Sequence, residues 1–326
     1  MHKVNFKPRF LYNNTIETRN PKNMKMGWTM VLCFSRYWCV RRFFLNFEKL
    51  EFDRAHCHLL IYNNTNDKSL DNILLKYCRR YHQGHKPTHG RRNYLAPFAS
   101  VRLYKSFRPY GGIVFGQEAE FDKSKLPIIY EMQRDIANMI TTRKFFMLED
   151  DTLPPEYAVK RLFYKLERSK NIGLVSGVEP TRSPRLTDKA RIGAYNLLWG
   201  NNKILERVSL SPDLRGHQEC DAVGFYCLAG KTKAWRMGKR NLENIIEVQK
   251  TAEPNWAIDT LWTNMVKTAG YKVFADFDTP CLHMQSIGDK IYFWAIDRAV
   301  VKLDYYIEKY NCYAQGIELC QKKKKN

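Results

Sequence analysis

Acidic residues are scarce in this chain: 33 Asp and Glu stand against 54 Lys and Arg, for a formal net charge of +21 and a pI near 9.6. That imbalance excludes a neutral surface and implies attraction to polyanions, whether nucleic acid, nucleotide phosphates or an anionic membrane face. The shortage is sharpest from Asn72 to Gln117, where 46 residues contain no Asp or Glu but nine Lys or Arg. The nine cysteines are odd in number, form no Cys-x-x-Cys pair and lie partly inside apolar runs. A zinc ribbon and a disulfide framework are thereby excluded, leaving buried thiols in a reducing compartment. No stretch of about 18 apolar residues is present, so no membrane-spanning helix is expected. MHKVNFKPRFLYNN also lacks a signal-peptide core. The expectation is a soluble cytoplasmic protein, in which the sequons Asn13-Asn14-Thr15 and Asn63-Asn64-Thr65 are chance matches. With 326 residues, 44% hydrophobic and 13% aromatic, the chain has material for a real core.

The order of elements points to an α/β fold. Residues 1–27 read as a basic arm that orders only against the body or a partner. WTMVLCFS (28–35) is a buried strand, RYWCVRRFFLNFEKL (36–50) a helix and CHLLIYNN (57–64) a second strand, which is the βαβ pattern of a parallel sheet. Helices are predicted over 69–80 and 125–140, strands over 143–148 and 172–178, and a helix between those two strands opened by Pro154-Pro155. Residues 179–218 read as a long surface excursion, 220–230 as a strand with embedded glycines, 256–270 as a helix ending at Gly270, and 271–277 as a strand. A packing helix is predicted over 289–309, ahead of a Lys-rich tail. The resulting division is an arm (1–27), a main domain (28–288) and a C-terminal helix and tail (289–326).

FFMLEDDTLPPEY (145–157) ends a buried strand in three carboxylates. Charge at such a place needs water, a cation or a counter-charge. With period-two alternation, Glu149 and Asp151 share a face, and two oxygens there suit Mg²⁺ or Mn²⁺ completed by substrate phosphates. The plainer reading is an acidic helix N-terminus. In a parallel sheet the ligand-facing rim lies at the strands' carboxyl ends, which nominates Ser35, Arg36, Asn63, Asn64 and Asp67.

VLCFSRY, LLIYNNTND, FFMLEDDTLPP, DAVGFYCLAG, AIDTLWTNMVKTAGYKVFADF and PCLHM follow one another over about residues 28–284. In that order the chain resembles the nucleotide-sugar-dependent glycosyltransferases of the GT-A fold, in particular their family 2-type group. The resemblance implies a mostly parallel Rossmann-like sheet flanked by helices. It implies that Glu149 and Asp151 match the outer members of the DxD motif holding metal and donor diphosphate, with Asp150 between them and Glu149 in place of the usual Asp. His283 matches the late histidine that completes the metal site; taken alone, it reads as structural. Ser35, Arg36, Asn63, Asn64 and Asp67 match donor-binding turns. Asp259 matches the general base, against the plain reading of a helix-opening Asp. Asp221 ranks as a second acidic residue facing the cleft, with His217 and Glu219 behind it as acceptor contacts.

The acid-free stretch also holds Tyr77, Tyr81, Tyr94, Phe98, Tyr104, Phe107 and Tyr110. Basic groups neutralise phosphates and aromatics stack on bases, so the stretch reads as a nucleic-acid track with Arg91, Arg92 and Tyr94 as acceptor contacts. DNA is then the expected acceptor, through a hydroxymethylated pyrimidine of a modified viral genome, flipped or single-stranded. A glycan, lipid or protein acceptor explains the same charge. A non-catalytic nucleic-acid-binding protein and a two-metal nuclease are the remaining readings.

Overall fold

The computed structural model describes residues 9–10, 15–19, 27–85, 94–106, 126–180, 192–200, 203–249, 258–287, 290–294 and 312–314. In chain order the elements are β1 (Arg9–Phe10), β2 (Thr15–Arg19), β3 (Trp28–Phe34), α1 (Val40–Phe47), β4 (Cys57–Asn63), α2 (Lys68–Gln83), β5 (Ser100–Lys105), α3 (Leu126–Met139), β6 (Lys144–Glu149) and β7 (Thr152–Leu153). They continue with α4 (Ala158–Glu167), β8 (Ile172–Val178), β9 (Ala194–Gly200), β10 (Lys203–Ser209), β11 (His217–Cys220), β12 (Ala222–Val223) and β13 (Cys227–Lys231). α5 (Thr232–Gln249), α6 (Ile258–Thr268), β14 (Lys272–Pro280), β15 (Leu282–Ile287), β16 (Lys290–Trp294) and β17 (Cys312–Ala314) complete the chain.

A ten-stranded sheet in the order β1-β2-β5-β4-β3-β6-β13-β8-β14-β11 organises the molecule. β5, β4, β3 and β6 are parallel neighbours, β14 is parallel to β8, and β13 runs antiparallel between β6 and β8. Burial on both faces explains the unbroken apolar runs of β3 and β8, each buried along its whole length. On one face α1, α2 and α4 contribute Phe43, Phe44, Phe47, Leu74, Tyr81 and Leu162 to the core. On the other, α3, α5 and α6 contribute Ile136, Trp235 and Trp262, with the two indoles stacked at 5.0 Å. The parallel strands therefore all release their carboxyl ends at one edge: Phe34, Asn63, Glu149 and Val178 lie there together with the start of antiparallel β13.

Several expectations are corrected. Residues 290–294, expected to open the C-terminal helix, form β16, which pairs antiparallel with β15; β17 pairs with β16 in turn, and the rest of 289–309 lies outside the described residues. KIYFW is too short an apolar run for periodicity to separate helix from strand. The arm, by contrast, orders against the body as expected: β2 pairs antiparallel with β5 and extends the main sheet. The supposed excursion over 179–218 contains the β9–β10 hairpin, which joins β12 in a three-stranded sheet.

The acid-free stretch is also built differently from a binding track. Tyr77 stacks on Phe44 at 3.6 Å, Tyr81 and Phe98 are buried against Phe47, and Tyr104 lies 4.9 Å from Tyr62. These rings are core because α2 turns Leu70, Leu74, Cys78 and Tyr81 onto the sheet at helical spacing. Tyr94 is exposed and donates to the Gln83 carbonyl at 2.7 Å; Arg91, Arg92, Phe107 and Tyr110 lie outside the described residues. Glu48, buried, gathers Arg80 at 3.2 Å, His85 at 3.1 Å and Tyr81 at 3.4 Å. Glu48→Ala should cost about 3 kcal/mol in urea unfolding, because it strands buried partners; an unchanged midpoint would refute that role.

Candidate active site

At the carboxyl edge, the turn after β6 is pinned to the turn after β3. The backbone N–H groups of Ser35 and Arg36 both donate to Asp150 Oδ2 at 2.6 Å, and the Arg36 guanidinium donates to Asp150 Oδ1 at 2.5 Å. Asp150, the middle member of the triplet, is thus the one that builds the rim. Burial is the largest influence on Arg36 and works against its charge, but Asp150, Cys39 and Glu149 together overcome it and raise the guanidinium pKa above its ordinary value.

Asp151 is fully buried, and its Oδ2 meets two groups: the second guanidinium nitrogen of Arg36 at 3.2 Å and His283 Nε2 at 3.1 Å. The meeting is a consequence of topology. β7 leaves the acidic turn at once and pairs with β15, setting His283 opposite Thr152, while Met284 N–H donates to the Asp151 carbonyl at 2.7 Å. The other ring nitrogen, Nδ1, faces two acceptors, Pro180 O at 2.8 Å and Glu179 Oε1 at 2.9 Å. Nδ1 therefore carries a proton. Nε2 then points a lone pair at a carboxylate unless a second proton or a metal cation lies between them.

This donor set fits a divalent ion. A carboxylate and an imidazole stand together, and the imidazole's far nitrogen is oriented by a carbonyl and a carboxylate, as metal-ligating histidines are. Asp150 and Asp151 both pair with the Arg36 guanidinium, Glu149 acts on it as well, and Glu179 stands against the far nitrogen of His283, a gathering of carboxylates whose charge a divalent cation would offset. Among the described residues no three His, Cys, Asp or Glu side chains form a ready-made cage. That suits an ion completed by substrate phosphates and water. Glu149 is half-buried at the end of β6.

Of the donor-side residues, Asn63 Nδ2 donates to Asp71 and its Oδ1 accepts from Thr65, and Asp67 caps α2 through Ser69 N at 2.7 Å. Both shape the turn. Asn64 is different: it is buried, its Nδ2 reaches Met132 Sδ at 3.5 Å, and its amide oxygen accepts no hydrogen bond among the described residues. An unsatisfied buried acceptor at this rim is a place for a ligand donor.

Asp259 lies in the first turn of α6, half-buried. Its Oδ1 accepts from Thr260 N at 2.7 Å, while Oδ2 lies toward Gly224, where a Cβ would come within 3.4 Å of it and within 2.3 Å of the Tyr226 ring. Gly224 places no side chain against that oxygen. Val223 N donates to Thr263 Oγ1 at 3.0 Å, and Gly224 N donates to Gly193 O at 2.9 Å. Gly193 N in turn donates to Glu179 O at 2.9 Å, so Asp259 is connected to the Glu179–His283 pair through a short run of backbone. Burial raises the Asp259 carboxyl above the ordinary range.

Asp221 is not brought to this edge. Its oxygens are taken by Lys267 Nζ at 2.6 Å and Leu197 N at 2.7 Å. β11 runs antiparallel to β14 and sets Cys220 opposite Val273, near the strand's beginning, so Asp221 meets the far end of α6, roughly 12 Å along the helix from Asp259. Glu219 pairs with Lys272 at 2.8 Å on the same outer strand. His217 sits 3.2 Å from Lys165 and packs over Phe274; burial, with Lys165, lowers its pKa. None of the three shares the site with Asp151. Sequence reading also passed over Glu179, which only the β7–β15 pairing brings into view, and Arg207, whose Nη1 donates to Thr260 Oγ1 at 3.4 Å.

No family model matches the chain, and no curated protein matches it in sequence. Among solved structures it is similar to the crystal structure of GalNAc-T7 with UDP, GalNAc and Mn2+, with a TM-score of 0.50 and 11% identity over 81% of this chain and 45% of that one. The chain thus spans less than half the length of that neighbour. The likeness is one of fold: an α/β, GT-A glycosyltransferase architecture with a mostly parallel central sheet flanked by helices. Among the described residues no helix is long and apolar enough to cross a membrane.

Proposed function

We propose that the protein is a metal-dependent glycosyltransferase that moves a sugar from a nucleoside-diphosphate sugar to a hydroxyl acceptor. The observation that carries this reading is the Asp151–His283 contact, which sets a buried carboxylate oxygen 3.1 Å from an imidazole nitrogen whose partner nitrogen already holds the proton. A divalent ion, Mn²⁺ or Mg²⁺, held there by Asp151, His283 and Glu149 would neutralise the departing diphosphate. Arg36 holds the acidic turn in place, and the buried, unsatisfied amide oxygen of Asn64 is the acceptor at this rim for an N–H of the base. Asp259 Oδ2, beside Gly224, takes the proton of the acceptor hydroxyl as that oxygen bonds to the anomeric carbon and the sugar–diphosphate bond breaks. The GalNAc-T7 structure, with its UDP and Mn2+, supports the donor half by analogy of fold.

The acceptor proposed is a hydroxymethylated pyrimidine in DNA, supported by the net charge of +21. Because Tyr77, Tyr81, Phe98 and Tyr104 belong to the core, charge alone now favours DNA. A protein or glycan acceptor is the second reading, favoured by that loss of stacking surface. The test combines two assays. Thermal shift with UDP, GDP and dTDP should give a rise of a few degrees only when Mn²⁺ is also present, of the order expected from ~2.7 kcal/mol at a hundredfold excess over Kd. With the nucleotide so identified, its radiolabelled sugar conjugates should label hydroxymethylated DNA and leave unmodified DNA unlabelled. No shift with any nucleotide would sink the transferase reading; transfer to a glycan or protein but never to DNA would sink the acceptor.

A further inference from the structure

The β9–β10 hairpin reaches the first turn of α6 through one side chain, Arg207. Register sets Arg207 opposite Leu197 and Ser209 opposite Tyr195, and the Arg207 guanidinium lies over the Tyr195 ring, 4.4 Å from its centroid. From there Arg207 Nη1 donates to Thr260 Oγ1 at 3.4 Å. Thr260 is fully buried; its N–H donates to Asp259 Oδ1 at 2.7 Å and its hydroxyl reaches the same oxygen at 3.4 Å. A hydroxyl has one hydrogen and two lone pairs. With the guanidinium filling a lone pair, the hydrogen is turned toward the carboxylate, so the relay runs one way: guanidinium, hydroxyl, carboxylate.

We propose that Arg207 is a positioning residue for Asp259, acting through Thr260 to hold Oδ1 in place and to keep the carboxylate ionised while Oδ2 lies toward Gly224. This rests on Asp259 being the proton acceptor. Arg207 touches no reacting atom; its work is done through a neighbour. Among the charged groups of the described residues, Arg207 is the one that acts on Asp259. Lys267 of α6 is paired with Asp221 at the far end of the helix, and Arg236 of α5 donates to the Ala137 and Ile140 carbonyls beside α3. The opposing tendencies agree with the geometry: burial pushes the Asp259 carboxyl up, while the Thr260 N–H and, after it, Arg207 and the Thr260 hydroxyl draw it back down. A hairpin in the chain's most polar excursion thus tunes a group fifty residues downstream, without which a half-buried carboxylate would hold its proton into the working pH range.

The experiment is a carbon-13 carboxyl NMR titration of Asp259 in the full chain, the signal assigned by its loss in Asp259→Asn. It is run on the wild type, Arg207→Gln, Arg207→Lys and Thr260→Val. Arg207→Gln should raise the midpoint by about one pH unit, a tenfold gain in proton affinity. Arg207→Lys, which keeps the charge and loses the fork, should move it less, and Thr260→Val should give part of the effect. In parallel, the acid limb of Mn²⁺-dependent UDP-sugar hydrolysis should shift the same way in Arg207→Gln, with UDP affinity unchanged. An unmoved midpoint overturns the proposal. So does a loss of UDP affinity with an unmoved pH profile, which would make Arg207 a donor contact. Failure of the underlying base assignment looks different: Asp259→Asn then turns over donor at the wild-type rate, whatever the NMR midpoints do.

Discussion

Asp151→Asn should lower Mn²⁺-dependent turnover of the nucleotide sugar by about a thousandfold, roughly 4 kcal/mol of transition-state stabilisation, while the free protein keeps its thermal midpoint within a few degrees. The two halves of that expectation have separate causes. The amide keeps the shape of the side chain and an acceptor oxygen for Arg36, whose guanidinium also remains bonded to Asp150, so no buried charge is stranded. What goes is the negative charge beside His283 Nε2, and with it the strongest ligand for a divalent ion. The Mn²⁺-dependent stabilisation by nucleotide should therefore vanish together with turnover. His283→Ala should follow it, with a smaller loss. If Asp151→Asn turned over donor normally, the acidic turn would be a structural feature only and the metal would have to be held elsewhere; a wild type that turned over no donor at all would make a non-catalytic nucleic-acid-binding protein the better account.

The parts of this arrangement that were legible in the sequence are those in which one physical signal dominates. β3, β4, β6 and β8 are buried on both faces, so their apolar runs stand out, and the carboxyl ends of parallel strands nominated Ser35, Arg36 and the acidic triplet without any distance being known. What remained hidden depends on contacts between remote segments. The role of Asp150 follows from a turn 115 residues away, and Glu179 becomes relevant only because β7 pairs with β15. Arg207 sits in KILERVS, whose alternation is blurred because the hairpin carries apolar side chains, Leu198 and Val208, exposed to solvent. α5 was passed over because TKAWRMGKRNLENIIEVQ carries its charges among the residues that pack. Asp221 misled for a related reason. Adjacency to Ala222-Val223-Gly224 suggested the cleft, but β11 runs the other way along β14 and leaves Asp221 with Lys267 at the opposite end of α6.

Asp259→Asn should cost about a hundred- to ten-thousandfold in transfer to an acceptor, the range that a positioned general base supplies, with nucleotide affinity preserved because the residue stands apart from Asp151. Its pH behaviour has a definite sign. Burial raises the carboxyl pKa in the folded protein, and a base acts only when deprotonated, so activity should be full at alkaline pH and fall as pH drops through that raised value, earlier than an ordinary carboxylate would require. Stability moves in the opposite direction. Because the folded state binds this proton more tightly than the unfolded state, ionised Asp259 costs stability above its folded pKa, and the cost disappears below the unfolded one. Asp259→Asn should therefore raise the thermal midpoint at pH 8 and leave it unchanged near pH 3, measured by differential scanning calorimetry. A gain in stability with a loss of transfer marks a carboxylate kept for its proton chemistry at the expense of the fold. A helix-opening Asp kept for the macrodipole of α6 would do the reverse, losing stability at pH 8 with transfer untouched, and that result would remove Asp259 from the reaction.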